Sequence, residues 1–241
     1  MHRPSPPKLL HPGRREAFPD PRLADDEGLV AVGGDLSPWR LMAAYERGIF
    51  PWYNGGVPPL WWSPDPRTVL DPCDVHVSRS LRRVLRRGTF QVTSDRAFSE
   101  VIRACAEERS EGTWILPEMI EAYEELFEMG HAHSFEVWDA ERLVGGLYGV
   151  AVGRAFAAES MFHRATDASK VGLVASIAGL ERIGLELFDV QFLTDHLASL
   201  GAKEIPRSGY LDRLKLAQAG DGLNWEQLDL TQITEIAEQK I

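Results

Sequence analysis

The stretch from Ser134 to Phe192 decides the fold. It opens with three strand-length runs: SFEVWD at Ser134–Asp139, LVGGLYGVAV at Leu143–Val152 and AFAAESM at Ala155–Met161. Arg142 and Gly153 fall at or near the short breaks between them, so the three runs read as a meander of consecutive strands. Asp167 then stands before an apolar stretch from Ala168 to about Ile183, the pattern of a capped, buried helix. A further strand, LFDVQF at Leu187–Phe192, follows. Strands come in a run rather than in strict alternation with helices, which predicts an α+β class built on a mixed sheet.

Reading outward, Pro206–Ala217 is expected to be a last short helix. Upstream, Leu116–Met129 carries Pro117 in its first turn and Gly130 after its end, the usual asymmetry of helix termini. Asp95–Glu108, with Ser94 or Asp95 as cap, and Ser78–Arg87 also read as helices. The segment from Phe50 to Arg67 holds five prolines and cannot be a regular helix. Gly28–Gly34 reads as a short buried strand closed by a glycine turn. Asp35 or Ser37 then caps a helix with Pro38 in its first turn, running to about Arg47. Residues 1–27 read as an irregular arm. A boundary near Ser63–Arg67 gives an N-terminal domain at 1–64, a second domain at 65–221 and a tail at 222–241.

The 241 residues are 44% hydrophobic and 26% charged, which suits a soluble globular chain able to bury a core without disulfides. The two cysteines, Cys73 and Cys105, form no CxxC pair, which argues against a disulfide scaffold and a structural zinc site and points to a reducing, cytoplasmic setting. No run approaches the roughly 18–20 apolar residues of a membrane span. Met1–Gly13 lacks the apolar region of a signal peptide, so no membrane partner is expected. A net charge of −10 counts against non-specific coating of nucleic acid. Yet Arg79, Arg82, Arg83, Arg86 and Arg87 cluster within twelve residues. An acidic body with one arginine patch can hold a polyanion at a single place; a solvated helix face gives the same pattern.

Three groups could carry chemistry. In Phe188-Asp189-Val190-Gln191 the period of two puts Asp189 and Gln191 on one face, beside each other, while Phe188 and Val190 face a core. An edge strand with one solvated face shows the same alternation. Glu159 follows two alanines inside an apolar run, where a carboxylate is costly to bury unless paired. A pocket floor, or a strand end reaching solvent, accounts for it. Trp52, Tyr53, Trp61, Trp62 and Trp114 offer faces on which bases stack, and proline-braced aromatics equally make good cores. His131 and His133 lack further ligands at a convincing spacing, so no metal is expected. No phosphate-binding glycine loop or nucleophile elbow is present.

As strings, several segments resemble the bacterial leucyl/phenylalanyl-tRNA–protein transferases. They are GLVAVGGDLS at 28–37, RGIFPW at 47–52, WWSPDPR at 61–67, EGTW at 111–114, GHAHS at 130–134 and LVGG at 143–146. ESMF at 159–162, ASK at 168–170, DVQ at 189–191, His196, SLGA at 199–202 and IPR at 205–207 complete an ordered set across residues 28–210. The resemblance implies an enzyme, without cofactor, that moves Leu, Phe or Met from aminoacyl-tRNA to the α-amino group of an N-terminal Arg or Lys. The product is a substrate for N-end-rule degradation. It also implies a small N-terminal domain followed by an acetyltransferase-like (GNAT) mixed-sheet domain.

Carried over residue by residue, the resemblance makes Asp189 and Gln191 the catalytic pair and Glu159 a carboxylate of the same pocket. Trp52 and Trp114 match residues that meet the terminal adenosine or the aminoacyl end. Phe156, Met161 and Val174 are expected to wall the amino-acid side chain. Thr194 stands where family members carry asparagine, which alters one polar contact. The five arginines are assigned to tRNA phosphates. On this reading Gln191 orients the amine, Asp189 polarises that amide and Glu159 stabilises the cationic amine. Two rivals stay open: an acyl-CoA N-acetyltransferase, for which no pyrophosphate loop is found, and a tRNA-binding module without catalysis.

Overall fold

The computed structural model describes residues 5–107 and 113–231. Four short strands near the N-terminus make one sheet: β1 (Lys8–Leu10), β2 (Leu29–Gly33), β3 (Phe50–Pro51) and β4 (Leu60–Trp62), in the order β1-β2-β4-β3. Helix α1 (Pro38–Tyr45) lies between β2 and β3. The supposed irregular arm therefore contributes β1, parallel to β2. The proline-rich segment contributes β3 and β4. Its prolines permit this because Pro51 lies on an edge strand, while Pro58 and Pro59 precede β4.

The second sheet comprises β5 (Arg67–Val69), β6 (Gln91–Ser94), β7 (Ala132–Asp139), β8 (Arg142–Val152), β9 (Ala155–His163), β10 (Leu187–Gln191) and β11 (Lys203–Ile205). Their order is β11-β5-β10-β9-β8-β7-β6. The predicted meander is β7-β8-β9, paired antiparallel. The β9–β10 pair is parallel, which requires the crossover through α5 (Ala168–Arg182). Strand β10 is thus interior, between β5 and β9, and all five of its residues are buried. The alternative of an edge strand with a wet face does not hold.

The other helices are α2 (Arg79–Arg87), α3 (Phe98–Glu107), α4 (Pro117–Glu128), α6 (Asp195–Ser199) and α7 (Arg207–Ala217). Ser78 caps α2 by accepting from the Leu81 N–H. Helix α3 begins later than expected. Asp95 is held in the left-handed region at φ 58°, and its carboxylate accepts from the Ser134 N–H and meets the His133 ring, tying the turn to β7. Asp167 likewise pairs with Lys170 rather than with the first N–H groups of α5.

One core lies between the sheet and α2 and α5, with Leu81, Phe135, Leu147, Phe156, Leu173, Val174 and Phe188. The opposite face packs Val101, Ile102, Met119, Tyr123 and Tyr148 together with Tyr45, Phe50 and Trp61. The N-terminal sheet and the large sheet therefore share a core. Trp225 of the tail packs against the first core and stacks on His133; residues 232–241 of the predicted tail lie outside the described residues. No described helix is long and apolar enough to cross a membrane.

Candidate active site

Two irregularities in the sheet build the site. In the β8–β9 pair the register passes from Tyr148↔Ser160 to Gly149↔Ala158, so Glu159 is the residue the pairing skips. A bulge of this kind re-aims a side chain and reverses the alternation beyond it. The core assignments show that reversal: Phe156 and Ala158 belong to one face, yet so does Met161, while Ala157 and Phe162 share the other. In the β10–β5 pair the register passes from Asp189↔Val69 to Gln191↔Thr68, with Gln191 at φ 58°. A left-handed non-glycine residue costs of order 1–3 kcal/mol and persists only where its surroundings over-determine it.

Those surroundings centre on Asp189. Its two oxygens receive Arg67 Nε at 2.8 Å and Arg67 Nη2 at 2.6 Å, a bidentate pair buried to within 2% exposure on either side. Tyr210 donates its hydroxyl to Asp189 at 3.0 Å, and the Gln191 N–H donates to Asp189 Oδ1 at 3.0 Å. Asp189 therefore holds the backbone of Gln191, not its side-chain amide. The expectation that Asp189 polarises that amide is corrected: the kink turns the Gln191 side chain away from its neighbour two residues back. Arg67 also donates to the Gly48 carbonyl, and its charge lies 4.8 Å from the Phe50 ring centre and 4.5 Å from that of Tyr210. Burial pushes the Tyr210 phenol well above its usual range, so it acts as a neutral donor.

The Gln191 amide instead donates Nε2–H to Glu159 Oε1 at 3.0 Å. The other oxygen of Glu159 accepts from the Tyr123 hydroxyl at 3.3 Å, and Tyr123 is hydrogen-bonded to Tyr45. Burial, with the Asp189 charge adding to it, raises the Glu159 carboxyl to about 7 against the hydroxyls of Tyr45 and Tyr123. A carboxyl poised there exchanges a proton at neutral pH. The Gln191 carbonyl oxygen is left to accept from an incoming N–H.

These two residues line a cavity of about 390 Å³. Trp52 and Trp114 stand on its wall, as do Met161, Val190 and Leu197, and Phe50, Phe192 and His196 also line it. Burial, and then Lys170, hold the His196 imidazole below its usual range. Thr194 also reaches the cavity while its oxygen caps α6 by accepting from the Leu197 N–H.

Of the residues singled out in the sequence, Trp52, Trp114, Glu159, Met161, Gln191 and Thr194 thus meet at one cavity, with Asp189 directly behind. Phe156 and Val174 do not line it; they lie at 0% and 1% exposure in the core beneath. The five arginines of α2 do not reach it either. Leu81 and Leu85 bury one face of that helix, leaving Arg79, Arg83, Arg86 and Arg87 exposed and Arg82 half-buried. Residue-level reading missed Arg67, Tyr210, Tyr45 and Tyr123. Arg67 lies 122 positions from its partner, so no local periodicity could reveal it; its presence in the WWSPDPR string was the single hint.

The chain matches two family models. The leucyl/phenylalanyl-tRNA protein transferase model covers residues 69–215, and the model of that family's N-terminal domain covers 34–65. A leucyl/phenylalanyl-tRNA–protein transferase of Anaeromyxobacter dehalogenans (strain 2CP-C) is 56% identical over 207 residues, 85% of this chain and 89% of the relative. One from Edwardsiella ictaluri is 55% identical over 199 residues, 82% of each chain. Among solved structures, an aminoglycoside acetyltransferase from an uncultured soil metagenomic sample is similar at a TM-score of 0.37 and 15% identity. That match covers 46% of this chain and 84% of the other.

Proposed function

The chain belongs to the leucyl/phenylalanyl-tRNA protein transferase family, and from that membership we propose how the cavity performs the transfer. The protein is an aminoacyltransferase that moves leucine or phenylalanine from an aminoacyl-tRNA to the α-amino group of an N-terminal Arg or Lys, marking the acceptor for N-end-rule degradation. We extend the donor set to methionine, whose side chain, like those of Leu and Phe, does not branch at Cβ. Val190, Met161 and Leu197 form the apolar wall that takes these side chains. Such a wall discriminates by fit, about 1–3 kcal/mol per methylene. Trp52 and Trp114 receive the terminal adenosine.

The observation that carries the mechanism is the 3.0 Å contact between Gln191 and Glu159 on the cavity wall. The Gln191 carbonyl accepts from the acceptor's α-amine and aims its lone pair at the ester carbon. As the C–N bond forms, the amine proton passes to Glu159. The tetrahedral intermediate then collapses, the bond from carbon to the ribose oxygen breaks, and that oxygen takes the proton from Glu159. Asp189 and Arg67 act one step back, fixing the Gln191 backbone. An ester is already activated and the amine is half free near its pKa of about 8, so placement supplies much of the rate.

The test is transfer of radiolabelled leucine from charged tRNA to a peptide beginning with arginine, beside an alanine-initiated peptide, a valine-charged tRNA and an acetyl-CoA donor. Label is expected on the arginine peptide from the leucyl donor alone, and Gln191→Ala is expected to lower kcat at least a hundredfold. Acetyl transfer, or tight tRNA binding without transfer, overturns the reading. Full activity in Gln191→Glu would replace amide orientation by generic carboxylate chemistry.

A further inference from the structure

Phe192 presents an aromatic face that the transfer chemistry leaves unused. The left-handed turn at Gln191, closed by the Phe192 N–H donating to the Val190 carbonyl at 2.7 Å, throws residue 192 off the strand onto the cavity rim. There the residue is 41% exposed, against 42% for Trp52, and their ring centres lie 5.5 Å apart with planes tilted at 52°. The pair forms an open aromatic corner. It is also rigidly backed. Phe192 meets Phe50 edge-on at 5.8 Å, Phe50 is buried under the Arg67 guanidinium, and the Trp52 carbonyl accepts from Trp62 Nε1 at 2.7 Å. Two adjacent half-exposed aromatic rings on a braced support offer π faces on which a base can stack.

We propose that Phe192 stacks the base of the nucleotide preceding the terminal adenosine, the penultimate cytidine of the tRNA. The proposal rests on the reading of Trp52 as the seat of that adenosine. The next nucleotide is covalently tethered to the adenosine, so it must lie beside Trp52, where Phe192 stands. The acceptor fits the corner less well, because its amine must reach Glu159 and Gln191 inside the cavity. Stacking needs only a π face and so accepts every tRNA, as a shared 3′ end requires.

The experiment compares two leucyl donors, one on adenosine alone and one on the trinucleotide CCA, in the wild type, Phe192→Ala, Phe192→Tyr and Trp52→Ala. The readout is the ratio of kcat/KM for the trinucleotide to that for adenosine, which is independent of the folded fraction. Phe192→Ala is expected to lower the ratio about tenfold, through KM, and Phe192→Tyr to keep it within about twofold. Equal loss with both donors makes Phe192 a prop for Trp52 and overturns the proposal. So does an unmoved ratio, whether the variant is fully active or has a raised KM for the peptide. Trp52→Ala reads the underlying assignment separately: an unchanged KM for leucyl-adenosine removes the adenosine from Trp52, whatever Phe192 does.

Discussion

Glu159 lines the cavity with a carboxyl whose pKa is raised to about 7, chiefly by burial. If it receives the amine proton, it must enter the reaction ionised, so activity falls as pH drops through that value. The acceptor's amine must also be free, with its own pKa near about 8. The logarithm of kcat/KM should therefore rise with slope two below about 7 and slope one up to about 8, then level off. Glu159→Gln should lose about a hundredfold in rate and keep slope one throughout, from the amine alone. A profile that retains slope two in this variant would move the proton acceptor elsewhere. Asp189 differs in kind. Salt-bridged to Arg67 and bonded to Tyr210, it is a buried ionic clamp, and removal of either partner of such a pair commonly costs about 3–5 kcal/mol.

At the scale of elements, the proposed site is built on two bulges in adjoining strands, β9 and β10. Gly149 makes the first possible, because a Cβ there would sit 2.3 Å from the Ala157 carbonyl oxygen and 2.7 Å from the Phe156 ring. These neighbours are backbone and a packed aromatic, and neither can swing aside. Gly149→Ala is expected to cost about 1–3 kcal/mol in thermal or denaturant unfolding. It should also lower kcat more than KM, since the strand carrying Glu159 must shift. A variant of unchanged kcat would separate the bulge from the chemistry. The alternation of residues 187–191 predicted that Asp189 and Gln191 share a face; the bulge and the left-handed turn make one face the clamp and the other the cavity.

Across the whole molecule, an acidic body carries the exposed Arg79, Arg83, Arg86 and Arg87 on α2, apart from the cavity. We assign this face, with Arg82, to the phosphates of the tRNA. Each lost phosphate contact should reduce the salt slope by about one, so Arg83→Glu with Arg86→Glu should raise KM for aminoacyl-tRNA and flatten its logarithmic salt dependence by about two. Should KM and slope both stay at wild-type values, α2 is only a solvated helix. The sequence by itself determined the α+β class, the β7-β8-β9 meander, α5, α7 and the family, because these rest on patterns of period 2 or 3.6 and on contiguous strings. It also named Glu159, Gln191, Trp52 and Trp114. Only the tertiary structure decided that Arg67 and Tyr210 close on Asp189, and that Tyr45 and Tyr123 reach Glu159. It also set Phe156 and Val174 in the core rather than on the cavity wall. The physical reason is that pairing across 21 to 122 residues leaves no local signature. A single skipped residue in a strand, equally silent in composition, reverses which side chains face the cavity.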